Sequence, residues 1–224
     1  MAYEDKSKYK IEYIGEKFSK DLTSYKVIVI GRYDVGKTAI INLIMQKSVD
    51  KEYDPKLSID IKNIQFKVND TIIQIGIWDC CGNDKFALNT PNLFKNASIA
   101  ILVYAINDLN SFNDLEKWHN MLKEYSKDSI IFLIGNKNDL EKEREVTIEE
   151  GEAFKNNYYD IKMFFEASAL ICKNIDNLLD NIAISIYEKN KKLENDEDNA
   201  LRKTISLVKE DFLKRGKKNK KKLC

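Results

Sequence analysis

Residues 31–38 read G-R-Y-D-V-G-K-T, between a run of strand-forming residues and an apolar helical pattern. This order of glycine, four residues, glycine, lysine and a hydroxyl residue is typical of a backbone loop that wraps around phosphate oxygens. Residues 25–30 are predicted to form a buried strand, and residues 37–46 a helix packed against a sheet. Such a strand, loop and helix restrict the chain to a small number of α/β folds and predict phosphate binding.

Lys37 and Thr38 carry the specific chemistry of this loop. The lysine ammonium is expected to neutralise the β- and γ-phosphates, and the threonine hydroxyl to ligate Mg²⁺. An ordinary strand-to-helix turn with a surface lysine is the alternative, but the strand before the loop and the helix after it favour phosphate binding. The residues predicted to hold the phosphates are Gly31, Tyr33, Asp34, Val35, Gly36, Lys37 and Thr38.

A second polar segment, N-K-N-D at residues 136–139, follows a predicted apolar strand at 129–135. A carboxylate such as that of Asp139 accepts two adjacent hydrogen bonds from the ring N–H and exocyclic amine of guanine, a donor pair that adenine lacks. Alone, this segment also fits a polar turn; the phosphate loop upstream and E-A-S-A-L at 166–170 favour base recognition. The predicted guanine-binding residues are Asn136, Lys137, Asp139, Ser168, Ala169 and Leu170.

Together, these three segments resemble the Ras superfamily of small GTPases in their order and approximate spacing. The resemblance covers about residues 24–190. It implies a chain that binds GTP and GDP with Mg²⁺ and hydrolyses GTP. It also implies four kinds of protein partner: an exchange factor, a GTPase-activating protein, an escort chaperone of the GDI type and effectors.

Composition excludes some classes of partner. The 37 basic and 36 acidic residues nearly cancel in charge, so no nucleic-acid partner is expected. We also expect a monomer. The four cysteines form neither a disulfide framework nor a metal-ligand spacing, which favours a reducing, cytosolic compartment. The longest apolar run, 97–106, is too short to span a bilayer, and residues 1–10 do not resemble a signal peptide.

Alternating strand and helix patterns predict an α/β fold: a doubly wound, mostly parallel six-stranded sheet with one antiparallel edge strand. Asn69-Asp70 predicts a hairpin turn. The predicted strands lie near 25–30, 59–68, 71–78, 99–105, 129–135 and 163–167, and the helices near 37–46, 84–95, 111–125, 147–157 and 175–192. The predicted domains are a charged extension (1–23), a GTPase domain (24–192) and a variable tail with a basic segment (193–224).

Two further segments narrow the resemblance to the Rab family. Residues 77–86 read I-W-D-C-C-G-N-D-K-F, which is similar to the Rab sequence W-D-T-A-G-Q-E-R-F, and residues 104–121 are similar to Rab sequences too. By this resemblance Asp79 holds Mg²⁺ through a water, and the Gly82 N–H senses the γ-phosphate. Trp78 fits equally a half-buried strand aromatic and an effector contact. Rab membership implies a role in vesicle traffic.

The sequence departs from the Rab pattern at positions on which GTP hydrolysis depends in that family. Asn83 stands where the family has a water-positioning glutamine, and its side chain is one methylene shorter. Lys56 stands at the switch I threonine, and an ammonium cannot ligate Mg²⁺. Either Lys56 pairs with the γ-phosphate or Ser58 approaches the metal. A bulky Tyr33 is expected to crowd the γ-phosphate. The predicted catalytic residues are Asn83, Gly82 and Lys37.

The sequence leaves two functions open. The first is a GTP/GDP switch with slow intrinsic hydrolysis. The alternative is a catalytically defective pseudo-GTPase that acts as a nucleotide-stabilised scaffold. A partner that discriminates between the GDP and GTP forms separates the two, because equal affinity for both forms cannot support switching. A nucleotide kinase or ATPase shares only the phosphate loop, and Asp139 disfavours it.

The tail places seven basic residues at positions 214–222, before a final Leu-Cys. Such a run is attracted to an anionic membrane surface, although it also fits a solvated tail or a nuclear-targeting segment. With a GTPase domain upstream, Cys224 becomes a candidate for prenylation, whereas Ala2 excludes N-myristoylation. We therefore expect a cytoplasmic protein that is reversibly lipid-anchored at the cytosolic face of an intracellular membrane.

Overall fold

The computed structural model describes residues 6–45, 60–79 and 91–195. Seven strands lie in these ranges: β1 Ile11–Gly15, β2 Ser24–Ile30, β3 Asp60–Val68, β4 Thr71–Asp79, β5 Ile99–Ala105, β6 Ile130–Asn136 and β7 Ile161–Glu166. They form one sheet in the order β1-β3-β4-β2-β5-β6-β7. Strand β3 is antiparallel to both of its neighbours, and every other pairing is parallel. The predicted α/β fold, with its mostly parallel sheet, is confirmed.

The helices follow the strands in alternation. They are α1 Lys37–Ile44, α2 Leu109–Asn113, α3 Leu115–Tyr125, α4 Ile148–Asn157 and α5, residues 175–186. The predicted helix at 111–125 is two helices. Helix α2 begins after Asp108, whose carboxylate accepts from the Ser111 N–H at 3.2 Å, and α3 begins after Asp114. The predicted helix at 84–95 lies largely outside the described residues, and Pro91–Leu93 forms a short 3₁₀ helix.

The chain divides into two compact units, the first ending at Ile186 and the second beginning at Tyr187. In the second unit, residues 187–195 are helical. The domain bounds expected from the sequence stay predictions. Among the described helices, none combines the length and the apolar character needed to cross a membrane.

The central strands are buried on both faces. In β2, the side chains of Val27, Ile28 and Val29 are fully buried, and all seven residues of β5 are buried. Ile28 packs with Trp118 of α3 in one apolar cluster on one side of the sheet. Continuous apolar runs such as these are typical of parallel strands covered by helices on both faces, which explains why the sequence identified them.

The seventh strand comes from the N-terminal extension, for which the sequence predicts no element. Strand β1 pairs with β3 and covers its outer edge. The chain then crosses the β3–β4 hairpin, where the Ser19 N–H donates to Gln74 Oε1 at 2.7 Å and Gln74 Nε2 donates to the Ser19 carbonyl at 3.1 Å. Gln74 is fully buried. Residues of the extension therefore belong to the same compact unit as the strands of the sheet.

The parallel strands bring their carboxyl ends to one edge of the sheet, which is where open α/β sheets bind ligands. Residues 31–36 follow β2, Asp79 ends β4, residues 137–144 follow β6, and residues 167–174 follow β7. The predicted site residues of the described ranges all lie along this edge.

Candidate nucleotide site

The phosphate loop turns tightly between β2 and α1 because two positions require glycine. Gly31 has φ +149°, and a Cβ there would collide with the backbone carbonyl of Val103 on the neighbouring strand. Gly36 has φ +91°, and a Cβ there would collide with the side-chain amide of Asn136. Both glycines of the sequence motif are therefore required by backbone conformation and by space.

Lys37 folds back across this loop. Its Nζ donates to the carbonyl of Gly31 at 3.1 Å and to that of Arg32 at 2.8 Å, and the residue is only 7% exposed. Gly36 has no side chain to cap α1, and the first turn of the helix contains no acidic residue. The ammonium and the helix N-terminus thus lie together, a combination that suits an anion such as a phosphate.

The middle of the loop differs from the rest because Tyr33 and Asp34 face outward. Tyr33 is about half exposed. Asp34 adopts a left-handed conformation with φ +61°, and its Oδ2 lies 3.2 Å from the Nζ of Lys137. Lys137 is left-handed as well, with φ +63°. This ion pair joins the phosphate loop to the N-K-N-D segment, a contact that the sequence did not predict.

Asn136 connects three parts of the site. Its Nδ2 donates to the Val35 carbonyl in the phosphate loop at 2.8 Å, and its Oδ1 accepts from the Ala169 N–H at 3.2 Å. Asn136 itself ends β6 and is 2% exposed. One buried amide therefore ties the phosphate loop, the N-K-N-D segment and the E-A-S-A-L segment together.

Asp139 is oriented by the following strand end. The Ser168 hydroxyl donates to Asp139 Oδ1, and Ser168 Oγ accepts from the Ile171 N–H at 3.2 Å. Ser168 and Ala169 are buried, whereas Leu170 is 64% exposed. The serine hydroxyl thus fixes one oxygen of a carboxylate that can accept donors from a ligand.

The predicted metal ligands lie beside the loop. In the register of the parallel pair, Asp79 stands opposite Val29, one residue before the end of β2, and Thr38 is the second residue of α1. Within the described ranges, no cluster of three or more histidine, cysteine, aspartate or glutamate side chains can hold a metal ion. A single carboxylate and a hydroxyl next to a phosphate loop nevertheless fit Mg²⁺, which binds nucleotides through few protein ligands plus phosphates and water.

Several predicted residues lie outside the described part of the chain. They are Gly82 and Asn83 among the catalytic candidates, Lys56 and Ser58 near the predicted switch I, and Cys224 with the basic segment 214–222. The roles assigned to them remain predictions from the sequence.

Sequence reasoning missed a second layer of polar residues behind the N-K-N-D segment. Glu166 is buried and accepts from Arg144 Nη1 at 2.5 Å and from Arg144 Nη2 at 2.8 Å. The hydrogen bonds that the Arg144 guanidinium donates, to Glu166 first and to Glu141 second, raise its pKa above the usual range. Glu166 was visible only as the first letter of E-A-S-A-L. The role of Arg144 had no sequence signal, because Glu166, which it binds through both Nη atoms, lies 22 residues further along the chain.

The Ras family model matches residues 26–188, which is well over half of the chain. The match covers the phosphate loop, Asp79, the N-K-N-D segment and the E-A-S-A-L segment, and it begins in β2. Taken with the mostly parallel sheet and the loops along its carboxyl edge, this match shows that the chain belongs to the Ras family and is a small GTPase.

Proposed function

We propose that this small GTPase selects guanine nucleotides, hydrolyses GTP slowly and acts as a Rab-like switch in vesicle traffic at the cytosolic face of an intracellular membrane. The observation that carries the proposal is the position of Asn136. Its amide links the phosphate loop at Val35 to the base-recognition turn at Ala169, with distances of 2.8 and 3.2 Å. A ligand with a base at one end and phosphates at the other fits this arrangement.

Selection of guanine is assigned to Asp139. Its carboxylate accepts the Ser168 hydroxyl at Oδ1, which leaves lone pairs on both oxygens for the two adjacent donors of guanine. Adenine has an acceptor where guanine has its ring N–H, so it meets the carboxylate with a repulsive lone pair. The expected substrate is therefore GTP, with GDP retained after hydrolysis.

The phosphates are assigned to the backbone N–H groups of 31–38, to the α1 N-terminus and to Lys37. Thr38 and Asp79 are the residues that would hold Mg²⁺, the latter through a water. Bound Mg²⁺ neutralises charge on the β- and γ-phosphates. Lys37 supplies a second positive charge at a buried site, where electrostatic interactions are stronger than in water.

The assignment to the Rab family rests on the sequence around Trp78 and on residues 104–121. Trp78 is half-buried at the end of β4, with the Lys26 ammonium 3.9 Å from its ring centre. That cation–π contact fastens the ring to the neighbouring strand β2 while part of it stays accessible to a protein partner. By the same family resemblance the expected partners are an exchange factor, a GTPase-activating protein, a GDI-type chaperone and effectors.

Slow hydrolysis is proposed because of Asn83. In phosphoryl transfer, the rate depends on placing the attacking water in line, and a side chain shorter by one methylene places it poorly. We expect Asn83→Gln to raise the single-turnover rate of GTP hydrolysis with Mg²⁺ by about tenfold. Asn83→Ala, which removes the amide, serves as the matched control and should not exceed the unmodified protein.

A brisk rate in the unmodified protein, unchanged by Asn83→Gln, would contradict slow hydrolysis. GTP that persists for many hours even in Asn83→Gln, together with equal partner affinity for the GDP and GTP forms, would instead identify a nucleotide-stabilised scaffold. The sequence favours that second function through Lys56 and Asn83, whereas the complete phosphate loop favours the switch.

Membrane attachment is proposed through the basic segment 214–222 and Cys224. Replacing Lys220, Lys221 and Lys222 with glutamine is expected to weaken binding of the full chain to vesicles containing phosphatidylserine by about 100-fold, since each lysine contributes about 1 kcal/mol. Co-sedimentation with vesicles at low and high salt provides the measurement.

The charge-matched control for the tail replaces three exposed lysines of the folded part, Lys17, Lys20 and Lys127, with glutamine. This control changes net charge equally but leaves the tail intact, so its vesicle binding should stay close to that of the unmodified chain. Equal losses in the two triple variants would mean that net charge, rather than the tail, determines membrane binding.

A further inference from the structure

Asn138 and Asp139 are neighbours, yet their side chains contact different residues of the segment 166–174. Asp139 accepts from the Ser168 hydroxyl. The Asn138 Nδ2 donates to Glu166 Oε2 at 2.5 Å, and its Oδ1 accepts from Lys173 Nζ at 2.5 Å. Both ends of the Asn138 amide are therefore used by Glu166 and Lys173, whereas the Asp139 carboxylate is the group that can accept donors from a base.

The anchor for Asn138 on one side is Glu166. This carboxylate is 8% exposed and receives both Nη atoms of Arg144, a bidentate geometry that fixes its orientation. The Asn138 amide therefore meets a rigid acceptor. Arg144 belongs to the same loop as Asn138, so the loop is attached to Glu166 at two separated points.

The anchor on the other side is the turn after β7. Lys173 lies opposite Ser168 in a two-residue bridge, with N–H to carbonyl distances of 3.2 and 3.0 Å between them. Asn174 Nδ2 donates to the Glu166 carbonyl at 2.6 Å. Hence the turn that carries Ser168, the residue that orients Asp139, is itself attached to Asn138 through the Lys173 side chain.

We propose that Asn138 is a positioning residue for guanine selectivity: it sets the distance between Asp139 and the Ser168 turn by bridging Glu166 and Lys173. The inference rests on the proposed function. Only a side chain with a donor and an acceptor on one short stem satisfies both neighbours. Aspartate at 138 would place a carboxylate against that of Glu166. An apolar residue would form neither of the two hydrogen bonds, to Glu166 and to Lys173.

The two variants that test this are Asn138→Ala and Lys173→Met, with Asn156→Ala as the matched control. Asn156 is an exposed asparagine near the carboxyl end of α4, outside both the N-K-N-D and the E-A-S-A-L segments. The affinities for GDP and IDP are measured by competition against fluorescent GDP. IDP lacks the exocyclic amine, so it forms one bond fewer with Asp139 and depends less on how that carboxylate is placed.

We expect Asn138→Ala to lower the ratio of GDP to IDP affinity by about fivefold to tenfold, the scale of one ordinary hydrogen bond. Lys173→Met, which alters an exposed side chain and keeps its stem, should lower the ratio in the same direction by a smaller factor. Asn156→Ala should leave the ratio unchanged. Melting temperatures are recorded for all four proteins.

A lower melting temperature with an unchanged ratio in both variants would overturn the proposal, because a purely structural residue weakens both ligands equally. If Asn138→Ala does not fold, the ratio of GDP to IDP affinity in Lys173→Met tests the proposal. If the unmodified protein does not prefer GDP over IDP and ADP, the proposed function fails, and this inference fails with it. If the unmodified chain prefers GDP and the variants show the same ratio of GDP to IDP affinity, only the role proposed for Asn138 is wrong.

Discussion

Replacing Lys37 with alanine is expected to lower the affinity for GDP and GTP by about 100-fold or more, equivalent to ~2.8 kcal/mol. The ammonium is buried against the carbonyls of Gly31 and Arg32, at the start of α1, where a phosphate meets positive charge from the side chain and from the helix together. Isothermal titration of the nucleotide-free protein measures the change directly.

Measuring the affinity for GMP as well shows whether Lys37 acts on the phosphates. Lys37 is assigned to the β- and γ-phosphates, so the affinity for GMP, which has neither, should change much less. Lys155→Ala removes a lysine of α4, outside the phosphate loop, whose Nζ donates to Asn156 Oδ1 at 3.4 Å; this matched control should bind all three nucleotides normally. Equal losses for GMP and GDP would mean that Lys37 supports the loop through Gly31 and Arg32 without contacting phosphate.

Asp139→Asn is expected to reverse the base preference from guanine to xanthine. A carboxylate accepts from the two adjacent donors of guanine, whereas an amide pairs with one donor and one acceptor, which is the pattern xanthine presents. GDP affinity should fall by about 100-fold, and XDP should become the tighter ligand. Ser168 can still donate to the side-chain oxygen at position 139, so the loop keeps its support.

Competition between GDP and XDP for the same bound probe gives the preference in one experiment. Asp70→Asn, an exposed aspartate in the hairpin turn between β3 and β4, makes the same chemical change away from the site and should preserve the guanine preference. If Asp139→Asn still prefers GDP, the base is recognised by other residues, and the role given to this carboxylate is wrong.

Local pattern was sufficient for the elements that form the core of the site. The apolar run before Gly31 and the apolar pattern after Lys37 identified β2 and α1, and the Asn69-Asp70 turn identified the β3–β4 hairpin, where Asn69 takes φ +53°. These are short-range signals, since period, turn chemistry and glycine placement are all contained in a few adjacent residues.

Strand β1 shows why other parts could not be predicted. It is five residues long, lies in a charged stretch and is held mainly by its pairing with β3, some fifty residues further along the chain. Its burial pattern lacks a fully buried position, so no apolar alternation marks it. Pairing of this kind is a property of the tertiary fold, and a single sequence does not display it.

The candidate site shows the same difference between short-range signals and long-range contacts. The sequence predicted that Asn136 and Asp139 bind guanine, but it did not show that Asn136 also reaches the Val35 carbonyl or that Asp34 pairs with Lys137. Both contacts join segments about a hundred residues apart. Motifs therefore predicted which residues bind the ligand, whereas the contacts that orient those residues are visible only in the folded structure, where the strand ends lie along one edge.

The nucleotide content of freshly purified full-length protein tests the central claim most directly. The protein is denatured, and the released nucleotide is identified and counted by chromatography against guanine and adenine standards. We predict close to one GDP or GTP per chain and no adenine nucleotide. Protein that is folded but carries no guanine nucleotide, and that takes up none when GDP and Mg²⁺ are added, would contradict the account.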